Sequence, residues 1–377
     1  MNVAQTLAEL VRVDSVSSRS NLSVISYLAA RVEALGLCAR MFPYIDADGV
    51  KKFNLVCVPP SVDAERMEVE LALVGHTDTV PFDAAWAEAL VLTEREGKFY
   101  GRGACDTKGF IAAALAAVEQ VGVAELKRPL ALVFTADEEV GCIGAKRLAE
   151  TGALRARYAV VGEPTSLRPM RAGKGYCLAE VRVRGREGHS AYPSLGASAI
   201  FRAARLITRI ERVAETLRTV DAHASFDPPH TTLNVGLING GTAKNIIAGE
   251  CRFTLEWRPV PGQAASHAVE LIQAEVEDLR RAEPDFDCHI EILRLDGGIE
   301  TRADSRLVSA LETLSGQTAG SIAFGTEAPQ LAEMGAEAVV FGPGQIQNAH
   351  RTGEFVPAAE LDVCVSILAR TIENFCR

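Results

Sequence analysis

The sequence predicts an α/β protein whose mixed, mainly parallel sheet is flanked by helices and interrupted by an inserted ferredoxin-like domain. In the first third of the chain, short apolar strands alternate with helical patterns, which is typical of a layered sheet with parallel strands. After Gly173-Lys174-Gly175 the order becomes βαββαβ, the ferredoxin-like arrangement. From about Gly297 the chain returns to helices and one apolar strand, so a single α/β domain surrounds the insert.

The elements of the surrounding domain follow from hydrophobic periodicity and from glycine stop signals. An amphipathic helix opens the chain, and a second helix over 21–35 ends at Gly36. A helix over 110–122 follows a glycine-rich stretch, and another helix lies between the third and fourth strands below. The predicted strands are 54–58, 70–75, 130–136, 158–164 and, near the C-terminus, 336–342.

The insert has about 120 residues, and its elements follow the order strand, helix, strand, strand, helix, strand. We predict strands at 176–185, 231–240, 249–259 and 286–295, with helices at 198–217 and 266–282. The predicted domains are therefore 1–172 together with 297–377, and 173–296.

Composition limits the class of protein. The 377 residues are 48% hydrophobic and 23% charged, which is typical of a globular chain, and a net charge of −10 argues against nucleic acid or anionic membranes as partners. The nine cysteines contain no C-x-x-C pair, so we expect buried, reduced thiols and a cytoplasmic protein. The start of the chain lacks the pattern of a signal peptide, and its apolar runs are shorter than the ~20 residues that span a bilayer.

Polar residues gather where apolar strands end, which is where open α/β sheets place their ligands. His76 and Asp78 in GHTDTVP are two residues apart, so one can bind a metal while the other orients it. Taken alone, such a pair is more often structural. Asp106 lies between glycines in GRGACDTKG, a setting in which a lone aspartate is usually a turn residue or a helix cap.

Two further groups of carboxylates follow apolar strands. Asp137, Glu138 and Glu139 are adjacent, and acids at a buried strand end repel one another unless a cation is near. Glu163 comes directly after VVG. Each acid alone is more often a solvated loop residue, but together they predict a metal site built from carboxylates and histidine, a donor set suited to zinc, cobalt or manganese.

Hydrolysis is the activity that such a site supports, because paired ions can activate a water and polarise a carbonyl. The sequence has no G-x-S-x-G, no G-x-x-x-x-G-K-[ST] and no G-x-G-x-x-G that opens a helix. Serine hydrolysis, phosphate binding and dinucleotide binding therefore lack support.

The motifs GHTDTVP, YGRGACDTKG, TADEEVG and GEP, in this order, resemble the co-catalytic zinc metallopeptidase and deacylase superfamily. That superfamily includes aminoacylases, acetylornithine deacetylase and succinyl-diaminopimelate desuccinylase. The resemblance spans nearly the whole chain. It implies two divalent metal ions, Zn²⁺ or Co²⁺, with one set of ligands from His76, Asp106 and Glu163 and the other from Asp106, Glu139 and His350.

The resemblance also implies roles for other residues. Glu138 would be the general base, taking a proton from the bridging water and passing it to the leaving amine, and Asp78 would orient His76. His189 in GREGHSAYP matches a lid histidine that stabilises the oxyanion, often across a homodimer, although alone it would be taken as a turn residue. Asn245 would contact substrate or oxyanion, and Arg258 a substrate carboxylate; Ala248 departs from the proline of many relatives.

The resemblance assigns 1–172 and 297–377 to a metal-binding catalytic domain and 173–296 to a lid and dimerisation domain. The segment AFGTEAPQL, containing Gly325, Thr326 and Glu327, is closer to the acetylornithine deacetylase branch than to the desuccinylase branch. The expected substrate is thus a small-molecule N-acyl amino acid, N-acetyl-L-ornithine, with Glu327 facing its side-chain ammonium or serving as an ordinary loop acid. N-acetyl-L-citrulline, a succinylated substrate and peptides remain alternatives; a non-catalytic homologue would lack Glu138.

Overall fold

The computed structural model describes residues 2–63, 65–219 and 222–377. It divides into two compact units. The first unit comprises Met1–Arg171, Thr301–Gly320 and Thr326–Arg377, and the second comprises Ala172–Glu300 and Ser321–Gly325. The catalytic and lid roles expected for the two parts stay predictions.

The helices are α1 (Val3–Val11), α2 (Leu22–Ala34), α3 (Lys108–Val121), α4 (Ile143–Thr151), α5 (Ala199–Leu217), α6 (His267–Ala282), α7 (Arg306–Ser315), α8 (Ala328–Glu333) and α9 (Ala358–Cys376). The strands are β1 (Cys38–Ile45), β2 (Lys51–Val58), β3 (Met67–His76), β4 (Thr93–Arg95), β5 (Lys98–Tyr100), β6 (Leu130–Thr135), β7 (Leu154–Val161), β8 (Met170–Gly173), β9 (Tyr176–Arg184), β10 (Thr232–Gly240), β11 (Glu250–Arg258), β12 (Asp287–Asp296), β13 (Ile299–Glu300), β14 (Gly320–Ile322), β15 (Glu337–Val340) and β16 (Phe355–Pro357).

The main sheet of the first unit has the strand order β1-β2-β6-β3-β7-β15. Its central strands β6, β3, β7 and β15 are parallel, whereas β1 and β2 form an antiparallel pair at one side. The register pairs His76 with Thr135 and Val74 with Val161, so β3, β6 and β7 end side by side. The predicted α/β class with a mainly parallel sheet is confirmed.

Helix α3 forms the centre of the first unit's core. Its sequence is apolar on all sides, and nearly every residue from Lys108 to Val121 is buried. Small side chains let it approach the sheet closely. At Gly162, which follows β7, an added Cβ would lie 2.2 Å from a ring carbon of Phe110, so only glycine fits there. This close packing fixes the backbone immediately before Glu163.

The second unit contains an antiparallel sheet of order β10-β11-β9-β12, the arrangement expected for the βαββαβ insert. Buried residues alternate along β9 and β11, and they share a core with α5 and α6. Helix α5 starts where Ser198 predicts a cap, since the Ser198 hydroxyl accepts a hydrogen bond from the Phe201 N–H. The ferredoxin-like insert is confirmed.

Sequence patterns missed the short or exposed strands. Strand β1 contains Pro43 and has no continuous buried face, and β4, β5 and β16 each have three residues in a small sheet of their own. None of the nine cysteines, all of which lie among the described residues, forms a disulfide bond, and eight of them are buried. Across the described residues, the helices are too short or too polar to span a membrane.

Candidate metal centre

His76 lies at the carboxyl end of β3 and is 1% exposed. Its Nε2 atom is 2.9 Å from Oδ1 of Asp106, and its Nδ1 atom is 3.0 Å from the main-chain carbonyl of Asp78. Two contacts, one on each ring nitrogen, fix the orientation of the imidazole. The ring therefore presents Nε2 to the glycine-rich loop before α3.

Asp106 faces two histidines at once. Its Oδ1 atom contacts His76, and its Oδ2 atom lies 3.1 Å from Nε2 of His350. His350 is also 3.0 Å from Oε2 of Glu139. The structure thus brings four of the residues predicted as ligands into one chain of contacts, with Asp106 at its centre, as a bridging carboxylate would require.

Glu138 and Glu163 complete the cluster. Donor atoms of His76, Glu138 and Glu163 lie within 4.8 Å of one another, as do those of His76, Asp106 and Glu139. These two groups differ from the expected ligand sets. The first contains Glu138 in place of Asp106, and the second contains His76 in place of His350. Which residue holds which ion stays a prediction, and the proximity of Glu138 to His76 and Glu163 is the feature to test.

The electrostatics of the cluster favour a bound cation. Burial raises the pKa of Glu163 well above its usual range, and the charges of Asp106 and Glu138 add to the rise. Burial also raises the pKa of Glu138 to about 7; the charges of Glu139 and Asp106 contribute, while His76 opposes the shift. Carboxylates that raise one another's pKa bind a divalent cation favourably. The donor set therefore fits a metal site of the zinc or cobalt type.

The Asp78 carboxylate bonds mainly to backbone N–H groups of Glu138 and Glu139. Its carboxylate accepts hydrogen bonds from the N–H groups of Glu138 at 3.1 Å and Glu139 at 3.2 Å, and from the Ser17 hydroxyl at 2.7 Å. Its Oδ1 atom is 3.6 Å from Nδ1 of His76, farther than its own carbonyl oxygen. The expected orienting role of Asp78 stays a prediction. The closer contact with His76 is through the main chain.

Asp137 forms a separate buried ion pair with Lys52. Its Oδ1 atom is 2.8 Å from Nζ of Lys52, and its Oδ2 atom accepts a hydrogen bond from the Tyr44 hydroxyl at 2.7 Å. Lys52 and Asp137 are each 1% exposed. Sequence reasoning missed Lys52 and Tyr44. The pair Lys51-Lys52 at the start of an otherwise apolar strand was the available signal for a buried cation.

Two candidates from the GTEA segment belong to the first unit. Thr326 is buried, and its hydroxyl accepts a hydrogen bond from the N–H of Ala328. Glu327 is 1% exposed, and its Oε2 atom accepts a hydrogen bond from the Thr135 hydroxyl at 2.9 Å, at the end of β6. Within the described residues, its Oε1 atom has no hydrogen-bond partner. Glu327 thus has a free acceptor in a buried position.

The remaining candidates belong to the second unit. The segments that contain His189 and Asn245 are paired, because the Ser190 N–H donates to the Asn245 carbonyl at 3.1 Å. The His189 and Asn245 side chains are both exposed. Arg258 ends β11, and its guanidinium lies 4.4 Å from the ring centre of Tyr176. Gly325 lies against the same Tyr176, since a Cβ added at Gly325 would be 3.4 Å from the Cβ of Tyr176. Their substrate contacts stay predictions.

Histidines and carboxylates at the carboxyl ends of a parallel sheet form the donor set expected of a metal-dependent hydrolase. Residues 72–374 match the model of peptidase family M20/M25/M40. The chain belongs to this family. It is 54% identical over 371 residues to the acetylornithine deacetylase of Myxococcus xanthus, covering 98% of this chain and 97% of that one. For the acetylornithine deacetylase of Proteus mirabilis the identity is 35% over 366 residues, covering 96% and 92%.

Solved structures agree on the fold. A tripeptidase from Staphylococcus aureus aligns with a TM-score of 0.80 at 24% identity, covering 99% of this chain and 97% of that one. A metallo-carboxypeptidase of the M20 family from Sulfolobus solfataricus aligns with a TM-score of 0.78 at 18% identity, covering 100% and 99%. The predicted superfamily and the hydrolase class are confirmed.

Proposed function

We propose that this protein hydrolyses N-acetyl-L-ornithine to L-ornithine and acetate, a step of arginine biosynthesis, in the cytoplasm. The observation that carries the proposal is the 54% identity, over nearly the full length of both chains, to a relative named acetylornithine deacetylase. The proximity of donor atoms from His76, Asp106, Glu138, Glu139 and Glu163 supports the proposal, because such a cluster could hold the metal ions that amide hydrolysis would use.

We assign the ligands as expected from the family. His76, Asp106 and Glu163 would hold one divalent ion, and Asp106, Glu139 and His350 the other, with zinc or cobalt as the metal. Bound ions of this kind lower the pKa of a water and polarise the scissile carbonyl. The contacts of Asp106 with both histidines support its place between the two sets.

Glu138 is the proposed general base. Burial raises its pKa to about 7, and near neutral pH a carboxylate with such a pKa both accepts and releases a proton. It would take the proton of the attacking water and deliver it to the departing amine of ornithine. Because its N–H donates to buried Asp78, the backbone that carries this side chain is held in place.

Glu327 is the proposed partner of the substrate's side-chain ammonium. It is a buried carboxylate, with an Oε1 atom that accepts no hydrogen bond from the described residues, and an ammonium supplies donors for such an atom. N-acetylcitrulline presents a neutral ureido group instead, so Glu327 would favour ornithine. In the second unit, Arg258 is proposed for the substrate carboxylate, and His189 and Asn245 for the oxyanion.

We further propose a homodimer formed by the second unit. Strand β10 is an edge strand that pairs with β11, and the exposed apolar residues Leu237 and Ile238 lie on it. Phe201 on α5 is 71% exposed and lines, with Ile246 and Ile247, a cavity of about 690 Å³. An apolar face beside an open strand edge suits a second copy of the same face.

Light scattering after gel filtration tests the dimer. The double variant Leu237→Glu with Ile238→Glu should be monomeric and folded, whereas Val363→Glu, an exposed valine on α9, serves as the matched control and should remain dimeric. A wild-type protein that runs as a monomer at micromolar concentration contradicts the dimer.

A substrate panel tests the activity. Protein stripped of metal and reloaded with Zn²⁺ or Co²⁺ is assayed with N-acetylornithine, N-acetylcitrulline, N-succinyl-diaminopimelate and a set of dipeptides. We expect the highest kcat/KM with N-acetylornithine. Hydrolysis of dipeptides alone would overturn the substrate, and equal activity with chelated protein would overturn the metal dependence.

A further inference from the structure

One buried ion pair connects three segments that carry proposed metal ligands. Arg102 and Glu354 have side chains that are 4% and 1% exposed, and Nη1 of Arg102 donates to Oε2 of Glu354 at 2.6 Å. Arg102 precedes Asp106 in the glycine-rich loop, and Glu354 follows His350 near the C-terminus. The pair therefore joins the loop of one ligand to the loop of another.

Glu354 also holds the backbone of the bridging ligand. Its Oε1 atom accepts hydrogen bonds from the N–H of Cys105 at 2.9 Å and from the N–H of Asp106 at 3.1 Å. Its carbonyl accepts from the N–H of Gly101 at 3.1 Å. The two carboxylate oxygens of Glu354 therefore have different partners. One accepts a hydrogen bond from the guanidinium, and the other accepts hydrogen bonds from two peptide N–H groups of the loop.

Arg102 extends the connection to the third segment. Its Nη2 atom donates to the carbonyl of Pro81 at 3.2 Å, in the GHTDTVP stretch that begins with Gly75 and His76. The guanidinium lies 5.4 Å from the ring centre of Trp86, and the Arg102 N–H donates to Ala89. The arginine is therefore held on several sides, and it is the cation that pairs directly with the buried Glu354 carboxylate.

We propose that the Arg102–Glu354 pair is the positioning device that sets the Asp106 carboxylate between His76 and His350, and so determines how tightly the protein binds its divalent cations. Neither residue contacts the substrate in this proposal. Partners that orient a metal ligand typically contribute about 10–100-fold to metal affinity. The inference rests on the proposed role of Asp106 as a metal ligand.

The test measures Zn²⁺ affinity by competition with a chelating dye and the visible absorption of the Co²⁺-loaded protein, which reports ligand geometry. Glu354→Ala should bind Zn²⁺ about 10–100-fold more weakly and should alter the Co²⁺ spectrum. Arg102→Met should weaken binding too, because it leaves the Glu354 charge unpaired. Adding Glu354→Gln to Arg102→Met should restore much of the affinity, because the amide oxygen can still accept both N–H groups.

The control is an ion pair of the second unit that joins a buried arginine to a partly exposed glutamate. Arg202 is 5% exposed and contacts Glu283 at 2.7 Å. Glu283→Ala should lower the free energy of unfolding while leaving the Zn²⁺ affinity and the Co²⁺ spectrum unchanged. Glu354→Ala must differ from this control in both metal measurements.

Two results would overturn the inference. The first is that Glu354→Ala loses stability yet binds Zn²⁺ as tightly as the wild type does. The second applies if Glu354→Ala does not fold: the double variant Arg102→Met with Glu354→Gln binds Zn²⁺ no more tightly than Arg102→Met alone. Asp106→Ala separates this failure from that of the proposed function, because unchanged Zn²⁺ binding in Asp106→Ala contradicts the metal centre itself.

Discussion

The first unit buries many charged residues, whereas the second unit buries few. Charged residues of the first unit that are at least nine-tenths buried include Lys52, Arg102, Asp106, Asp137 and Glu354. In the second unit, the core shared by the sheet, α5 and α6 is apolar, and ion pairs such as Arg252 with Glu250 lie on side chains that are 43% exposed. The buried charged residues Arg202, Lys174 and Asp296 are exceptions.

Buried charges are costly unless they are paired, so a fold keeps them where they serve a purpose. In the first unit they lie around the carboxyl ends of β3, β6 and β7, next to the carboxylates of the candidate metal site. The second unit has the organisation of a stable support, with hydrophobic burial inside and charge outside. The comparison supports the proposal that the metal ligands belong to the first unit, and it predicts that substitutions in the two units should have different consequences.

Glu138→Gln should have the largest effect. A general base contributes about 10²–10⁴-fold to the rate, so kcat with N-acetylornithine should fall by that factor. The Zn²⁺ content, measured by elemental analysis after dialysis, should stay near that of the wild type. A loss of metal in proportion to the loss of activity would falsify the base role and make Glu138 a ligand, as its proximity to His76 and Glu163 allows.

Lys52→Met removes one partner of a buried pair and should lower the free energy of unfolding by about 3–5 kcal/mol. Arg252→Met in the second unit removes an exposed partner, and it should cost much less than Lys52→Met, because solvent screens an exposed ion pair. Urea denaturation of both variants measures the difference. Equal costs would mean that the two units do not differ in how their ion pairs contribute to stability.

Leu255→Ala tests the apolar core of the second unit. Leu255 is fully buried on β11, so its truncation should cost about 2–5 kcal/mol of stability. Zn²⁺ affinity should not change, since the proposed ligands belong to the first unit. A weaker Zn²⁺ affinity in this variant, measured at a temperature where it is fully folded, would contradict the separation of roles.

Glu327→Gln should have the smallest effect, a shift of about 10-fold in the preference for N-acetylornithine over N-acetylcitrulline, the size of one modest charge interaction. Burial raises the pKa of Glu327 to about 8, so the carboxylate gains its charge as the pH rises through that value. The preference of the wild type should therefore increase from pH 7 to pH 9. A preference that neither pH nor the Glu327→Gln substitution changes would refute the ammonium contact.

The sequence predicted most of the fold and the polar cluster, because each proposed ligand follows an apolar strand or lies in a distinctive loop. It did not predict the side chains that support them. Ser17 reaches Asp78 across 61 positions, Lys52 reaches Asp137 across 85, and Glu354 reaches Cys105 across 249. Such contacts depend on tertiary packing, which local periodicity does not encode. Strand β1 was missed because its sequence, CARMFPYI, does not alternate apolar and polar residues, although the exposure of its residues alternates in the folded protein.

The buried thiols make the opening of each unit separately observable. In the folded protein, Cys38 is exposed and the other eight cysteines are buried, so an alkylating reagent should modify one position. Cys177, Cys251 and Cys288 lie in the second unit, and the remaining buried thiols lie in the first. Mass spectrometry after brief alkylation in increasing urea would then show which unit unfolds first, with no label introduced by mutation.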